Sequence, residues 1–523
     1  MKAFLMYRDR DFDPQQLLTR RARELGYRNA DAEALSLRQV LPWNHEALTQ
    51  DLGLDILVNA MANGDQFLAD AAKVAVLSSL ADLDTIRYRQ SVFSDCLKNE
   101  QTIRAIYQIA IEAIEGERKN TFGYFRLYPG GVLHRGVDLL HMFVGLLRKL
   151  RGIADHPDGF ESEGFRRLFG MLGEELSDQY FQEIENHLKR LKFRHGVLIS
   201  AELTKGNKGH NYVLRDNPDD GRSWLARLLA EKPESYTFQL HPRDEAGAQA
   251  LSALRDRGVN LVANALAQSA DHVLSFFQML RAELAFYIGC LNLRARLVEL
   301  GEPICLPVPT EPGQRQLSFS GLYDVSLALS LGQKVVGNEL EANGKNVVIV
   351  TGANTGGKST FLRSIGIAHL MMQAGMFVAA DAFTSEVCDG IFTHYKREED
   401  ANMESGKWDE ELSRMSGLVD RIRPNSLVLF NESFASTNER EGSEIAKQIV
   451  LALLDRQVKV FFVTHLYHFA HGFAVQRAPT STFLRAERRS DGTRPFKLIE
   501  AEPLQTSYGE DLYRAIFSAA AAE

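Results

Sequence analysis

The sequence predicts an α + α/β chain in two parts, a half built of long helices followed by an α/β half. Three observations predict this. Apolar residues recur at spacings of three and four through residues 67–117, 134–152, 164–192 and 244–300. A proline-rich run at 303–314, PICLPVPTEPGQ, then breaks the pattern. Beyond it, short unbroken apolar runs alternate with helical stretches, as in a sheet buried on both faces. The expected domains are a small, mostly helical cap over 1–64, a helical domain over 65–302, and an α/β domain over 303–523.

Composition narrows the class. The 523 residues are 45% hydrophobic and carry a formal charge of −8, enough apolar material for several cores and no global basic signature. Contact with nucleic acid would have to come from a local patch. Cys96, Cys290, Cys305 and Cys388 are far apart and form no CxxC pair, which fits a reducing cytoplasm rather than a disulfide framework. The N-terminus MKAFLMYRDRDFD has too short an apolar stretch for a signal peptide, and no uninterrupted apolar run reaches membrane-spanning length.

Helical periodicity begins at about Phe67 and stops at TFGYFRLYPGG, residues 121–131, where Pro129, Gly130 and Gly131 signal a turn. The aromatics Phe122, Tyr124, Phe125 and Tyr128 suit a helix–helix joint better than a base-stacking surface. The period changes from helix to strand at 195–203 and 210–215. These runs flank TKGNKG and read as a hairpin with a basic tip. Between His187 and Arg215 stand Lys189, Arg190, Lys192, Arg194, Lys205, Lys208 and Arg215 against Glu202 alone, a local charge of +6. This is the best candidate for a phosphate-backbone contact, although charge runs are more often solvated faces. A further strand-like piece is 236–240. The run from about Asp244 to Leu300 is too long for an ordinary globular helix and suggests a lever arm.

The second half is organised around NVVIVTGANTGGKSTF, residues 346–361. An apolar, β-branched strand enters G-x-x-x-x-G-K-S, with Gly352, Gly357, Lys358 and Ser359 in the fixed positions, and a helix follows. Such a loop turns backbone N–H groups and a helix N-terminus toward phosphates. Lys358 would reach the β- and γ-phosphates of ATP, and the Ser359 hydroxyl would ligate Mg2+. A second apolar strand ends in Asn431-Glu432, where a carboxylate can orient or deprotonate an attacking water. A third ends in Thr464-His465, at the edge where a doubly wound sheet binds ligands. His465, His468 and His471 do not make a metal site, because no carboxylate or cysteine stands at ligand spacing.

These elements resemble the ATPase core of the MutS mismatch-repair family. The resemblance rests on TGANTGGKST with the GMFVAA turn, NESFASTNEREG, VTHLYHF, MESGKW, VVGNEL and the closing TSYGEDLYRAIF. It implies an ABC-type ATPase domain using ATP and Mg2+. In that domain Gly352, Asn354, Gly356, Gly357, Lys358, Ser359 and Thr360 hold the phosphates. Ser359, Asn431 and Glu432 serve the metal, and Lys358, Glu432 and His465 serve catalysis. Asn338 and Tyr323 lie near the base, and Ser405 acts across a homodimer on the partner's nucleotide. The helical half matches the family's core and lever helices in pattern only, and implies a clamp on duplex or branched DNA.

Three departures qualify this. Asn431 stands where the family has aspartate, which removes one negative charge from the metal site. KWDEEL follows Gly406 in place of a hydroxyl-rich run. About 65 residues precede the helical part, without an F-x-E wedge, so wedge-based mismatch reading is not expected. Two other classes stay open: a nucleotide-switched scaffold for a protein partner, and an SMC-like or transporter-like ATPase subunit. The latter lacks a heptad hinge and an LSGGQ-type segment.

Overall fold

The computed structural model describes residues 1–12, 41–121, 128–193, 196–206, 208–215, 240–241, 243–397, 406–476 and 479–505. The chain forms two compact units. One comprises Met1–Ala3, Arg104–Asp158 and Arg166–Arg281, and the other Phe4–Ile103, Gly159–Phe165 and Ala282–Glu523. The mixture of helix and sheet agrees with the expected α + α/β class.

The first unit is mostly helical. Its core lies between helix Pro129–Ala154 and the early turns of helix Glu245–Glu299, where Leu133, Val259 and Ala263 are fully or nearly buried. The helix boundaries at 245 and 299 fall within a residue of the sequence expectation. One stretch of this helix is apolar and long enough to cross a membrane by length and hydropathy, but 72% of it is buried within the protein, as in a core helix. The hairpin also forms. Strand β1 (Leu198–Leu203) pairs antiparallel with β2 (Gly209–Arg215), and Val197 and Leu214 pack on the same core.

One expected break is shifted. Pro129, Gly130 and Gly131 do not end a helix; they open one. Proline suits the first helical position, where its missing N–H would have no intrahelical partner. The N–H of Gly130, which has no carbonyl within the helix to meet, donates to the Asp256 carboxylate at 3.1 Å. The segments 122–127 and 236–239, with Phe122, Tyr124, Phe125 and most of the strand-like piece expected there, lie outside the described residues, as does Arg194; Tyr128 is described and half exposed.

The second unit contains both larger sheets. One has strands β3 (Val308–Thr310), β4 (Leu317–Leu322), β5 (Asn338–Glu341) and β7 (Ala382–Glu386) in the order β3-β7-β4-β5. The other takes in β6 (Val347–Gly352), β8 (Ile391–Tyr395), β9 (Leu427–Asn431), β10 (Lys459–Val463), β11 (Ser481–Ala486) and β12 (Leu498–Glu500), in the order β12-β11-β6-β10-β9-β8. Strands β11, β6, β10, β9 and β8 are parallel neighbours, with β12 antiparallel at the edge. All residues of β8 and β10 are buried, and so are five residues of β6 and four of β9. That accounts for their unbroken apolar sequences, because both faces of a parallel sheet are covered. In the register, Val350 pairs with Val463 and Val463 with Asn431, so three strands end side by side along one edge.

The N-terminal residues of this unit are held by a buried carboxylate. Glu283 Oε2 accepts the N–H groups of Leu5 and Met6 at 2.8 and 2.7 Å, and Oε1 accepts that of Phe12 at 2.6 Å. Arg89, fully buried, donates to Met6 O and to Ala374 O. Burial pushes the Glu283 carboxyl up to about 8, against the three N–H donors and the Arg89 guanidinium, which favour the anion. The fold therefore holds a proton that the unfolded chain releases near its ordinary 4.5. The contribution is full below about 4.5 and is lost as pH rises through about 8. The urea midpoint of the protein relative to that of Glu283→Gln should fall across this window. A difference that does not change with pH would contradict the assignment.

Candidate functional site

A cavity of about 860 Å³ opens at the shared strand edge of the second unit. Its wall includes Asn354–Phe361, Tyr323, Asn338, Glu432 and His465. Elements far apart in sequence meet here because their strands are parallel neighbours that end together.

The Gly-rich loop follows β6 directly. Gly352 (φ +108°), Thr355 (φ +56°) and Gly357 (φ +89°) take left-handed backbone conformations, and the helix Lys358–Ala374 begins immediately after. A Cβ on Gly352 would stand 2.9 Å from Ala486 N, and one on Gly356 would stand 2.7 Å from Ala486 Cβ. Glycine at 352 is thus required both by conformation and by the close approach of β11, and at 356 by that approach. Lys358 is 6% exposed, and its Nζ donates to Gly352 O at 3.0 Å and Ala353 O at 2.9 Å. Burial lowers its pKa, while the Glu432 carboxylate pulls it back up.

Ser359 Oγ donates to Asn431 Oδ1 at 2.9 Å. Two oxygen donors therefore stand together at the mouth of the loop, with Glu432 next in sequence. Hard oxygen atoms of this kind suit Mg2+, which usually keeps most of its ligands as water and phosphate oxygen. Asn431 supplies an oxygen without a charge. Among the described residues no group of histidine, cysteine and acidic side chains forms an all-protein metal cage.

Glu432 is a non-glycine residue with φ +53°, fixed by its N–H to Val463 O at 2.8 Å. The carboxylate is therefore presented from the junction of β9 and β10. His465 follows Thr464, whose N–H bonds Val350 O at 3.0 Å, and its side chain is exposed at the cavity. Asn338 is buried; its Oδ1 accepts from Leu498 N at 2.8 Å and its Nδ2 donates to Phe496 O at 3.3 Å. Tyr323 is 2% exposed, and its buried hydroxyl has no hydrogen-bond partner among the described residues.

Some lining residues escape a reading of the sequence. Phe496, half exposed, faces the Gly-rich loop, and Arg494 donates to Thr355 Oγ1. Their only local signal is Asp491-Gly492, a turn pair whose carboxylate caps Thr493. Nothing local says that this turn folds over residues 355–357. Gln333–Val336 also line the cavity, held in part by Glu302 Oε1 accepting from Val335 N at 2.6 Å. Ser405 and the segment 506–517 lie outside the described residues.

The basic candidates belong to the first unit. Lys189 and Arg190 end helix Asp178–Arg190, Lys192 follows it, and Lys205 and Lys208 stand at the hairpin tip. All five are exposed. Arg215 is tied down by a 2.8 Å bond to Ser200 Oγ.

Comparison with known sequences finds two family matches along the chain. Residues 81–300 match the MutS2 N-terminal domain, and residues 348–518 match MutS domain V. The chain belongs to the MutS family. The DNA mismatch repair protein MutS of Thermotoga maritima is 36% identical over 412 residues, covering 75% of this chain and 48% of that protein. The MutS of Lactococcus lactis subsp. cremoris is 24% identical over 357 residues, 56% of this chain and 42% of that protein. MutS protein homolog 4 of Mus musculus is 28% identical over 151 residues, 29% of this chain and 16% of its own length. The chain thus spans less than half the length of these MutS-family relatives.

Proposed function

We propose that the protein is an ATP-dependent DNA-binding ATPase that works as a dimeric clamp on duplex or branched DNA. The observation that carries this reading is the cavity in which the Gly-rich loop, Lys358, Ser359, Glu432 and His465 face one another. The family membership supports the same class.

In this reading the ATPase domain is of ABC type and falls within residues 303–523, and the helical core and lever domain precedes it. The N–H groups of the 352–360 loop cradle the phosphates, with Asn354, Gly356 and Thr360 in contact. Lys358 exchanges the carbonyls of Gly352 and Ala353 for phosphate oxygens. Ser359 and Asn431, with Glu432 beside them, would hold Mg2+, which would supply charge neutralisation on the phosphates. Glu432 accepts a proton from the attacking water, and His465 donates to the γ-phosphate. Tyr323 and Asn338 border the base. Ser405 reaches the partner's nucleotide, so that two ATPs sit between two ATPase domains. Binding ATP closes the pair, and hydrolysis releases it.

The DNA contact is assigned to Lys189, Arg190, Lys192, Arg194, Lys205 and Lys208. Each phosphate left without its neutralising side chain should lower the salt slope of binding by about 0.9 for duplex DNA. A Lys205→Glu and Lys208→Glu double variant is expected to bind duplex and branched DNA more weakly, with a shallower dependence on salt. An unchanged affinity and slope would remove the hairpin from the interface. The function itself is tested by ATPase rate across duplex, branched and single-stranded DNA, with oligomeric state measured alongside. The neutral Asn431 favours one other reading, a slowly cycling nucleotide switch for a protein partner. A rate indifferent to every DNA would favour that reading.

A further inference from the structure

The turn that presents Glu432 is costly, and its retention has an identifiable cause. Glu432 and Phe434 have φ of +53° and +62°. Left-handed backbone at side chains of this size costs on the order of 1 kcal/mol each and persists where neighbours over-determine it. Ser433 and Phe434 are completely buried. Two elements grip them.

The first is β8. His394 Nδ1 lies 2.8 Å from Ser433 Oγ, and its Nε2 lies 3.2 Å from Glu411 O. Burial lowers this imidazole to about 3, so it is neutral. The Ser433 hydroxyl donates to His394 O, and the ring bridges Ser433 Oγ and Glu411 O through its two nitrogens. Its ring also stacks on Phe434 at 5.3 Å.

The second is helix Lys407–Val419, which starts directly after Gly406. Glu411 is 2% exposed, and its Oε1 accepts the N–H of Phe434. Its Oε2 is buried and has no hydrogen-bond partner among the described residues. A half-satisfied buried carboxylate costs more than a methionine or leucine of similar volume would. The bond it does make is the one that pins the turn. A Cβ on Gly442 would stand 2.2 Å from Phe434 O, so the close approach of helix Glu439–Asp455 to the turn requires glycine there.

We propose that Glu411 is a positioning residue for hydrolysis. It fixes the backbone of Glu432–Phe434, and so the aim of the Glu432 carboxylate, and it joins that aim to the helix that begins after Gly406. The inference rests on the ATPase reading. It predicts that the helix and the catalytic carboxylate move together, because they share a buried charged bond and the His394 bridge.

The test measures kcat, ATP affinity and thermal midpoint for Glu411→Met, Glu411→Gln and Glu411→Asp, beside Glu432→Gln. Losing a charge-assisted bond to a backbone N–H corresponds to a fall in kcat of about 10-fold or more. Glu411→Met is expected to show that fall with ATP affinity within about twofold of the parent. Glu411→Gln keeps an oxygen acceptor and is expected to restore most of the rate. Glu411→Asp withdraws the acceptor while keeping the charge, and should behave like the methionine variant; it decides the matter if Glu411→Met does not fold. A parental kcat in either Glu411→Met or Glu411→Asp overturns the proposal. So does a loss of kcat that Glu411→Gln fails to rescue, or one matched by an equal loss of ATP affinity. The ATPase reading fails separately, through a parent that neither binds nor hydrolyses ATP, or a Glu432→Gln variant with undiminished rate.

Discussion

Glu432→Gln is expected to bind ATP and fail to cleave it. Glutamine occupies the same volume and can still orient a water, but it cannot take the proton. Removing a general base lowers the rate by roughly 10²- to 10⁴-fold. Binding should survive, because the loop, Lys358 and the Ser359–Asn431 pair are untouched. If ATP closes two ATPase domains on each other, the variant accumulates in the closed form. Sedimentation with saturating ATP should then show a dimer that ADP does not support. A variant that stays monomeric under those conditions removes the nucleotide-sandwich dimer from the account, whatever its rate.

Lys358→Ala should fail one step earlier. The ammonium is buried and already desolvated, so its interaction with an anion is far stronger than a surface lysine could offer. Truncating one partner of a desolvated charge pair costs about 2–5 kcal/mol, or roughly thirtyfold to several thousandfold in affinity. ATP binding followed by calorimetry should fall below detection, while the thermal midpoint without nucleotide changes little. The two variants therefore separate binding from chemistry. Retained ATP affinity in Lys358→Ala would mean that the lysine keeps its bonds to Gly352 and Ala353 when nucleotide is present, and that the loop amides carry the affinity alone.

Much of the α/β half was legible because its signals are local. A run such as VKVFFV is apolar on both faces, and Gly352, Gly357, Lys358 and Ser359 carry their chemistry at fixed spacing. The long helix 245–299 announced itself by period alone. Two kinds of feature stayed hidden. Some depend on a turn folding onto a distant element, as Arg494 and Phe496 fold over the loop; an Asp-Gly pair gives a turn but no destination. Others contradict the usual meaning of their residue types. Glu411 sits in KWDEEL, one of three consecutive acidic residues, and nothing in that run marks it as the one that points inward to Phe434 N. The Pro129-Gly130-Gly131 run reads as a stop, yet Asp256, distant in sequence, makes it a start. Periodicity cannot report such pairings, since the partner lies beyond any window in which a pattern is sought.

The grip of Glu283 on residues 5, 6 and 12 bears on how the protein is made. These bonds join positions 271 to 278 residues apart, and Arg89 meets Ala374 across 285. Gln373 reaches Ser79 and Leu80 over a similar span, and Asn44 reaches Ile391 O across 347. On a ribosome adding about 5–20 residues per second, the first hundred residues wait on the order of tens of seconds for these partners to emerge. During that interval the apolar faces of helices Leu54–Ala62 and Gln66–Leu77 have no final surface to cover them. Closing such distant contacts late makes for slow folding and prolonged exposure. A fragment that begins after residue 12 would leave the Glu283 carboxyl in the interior with its three amide donors gone.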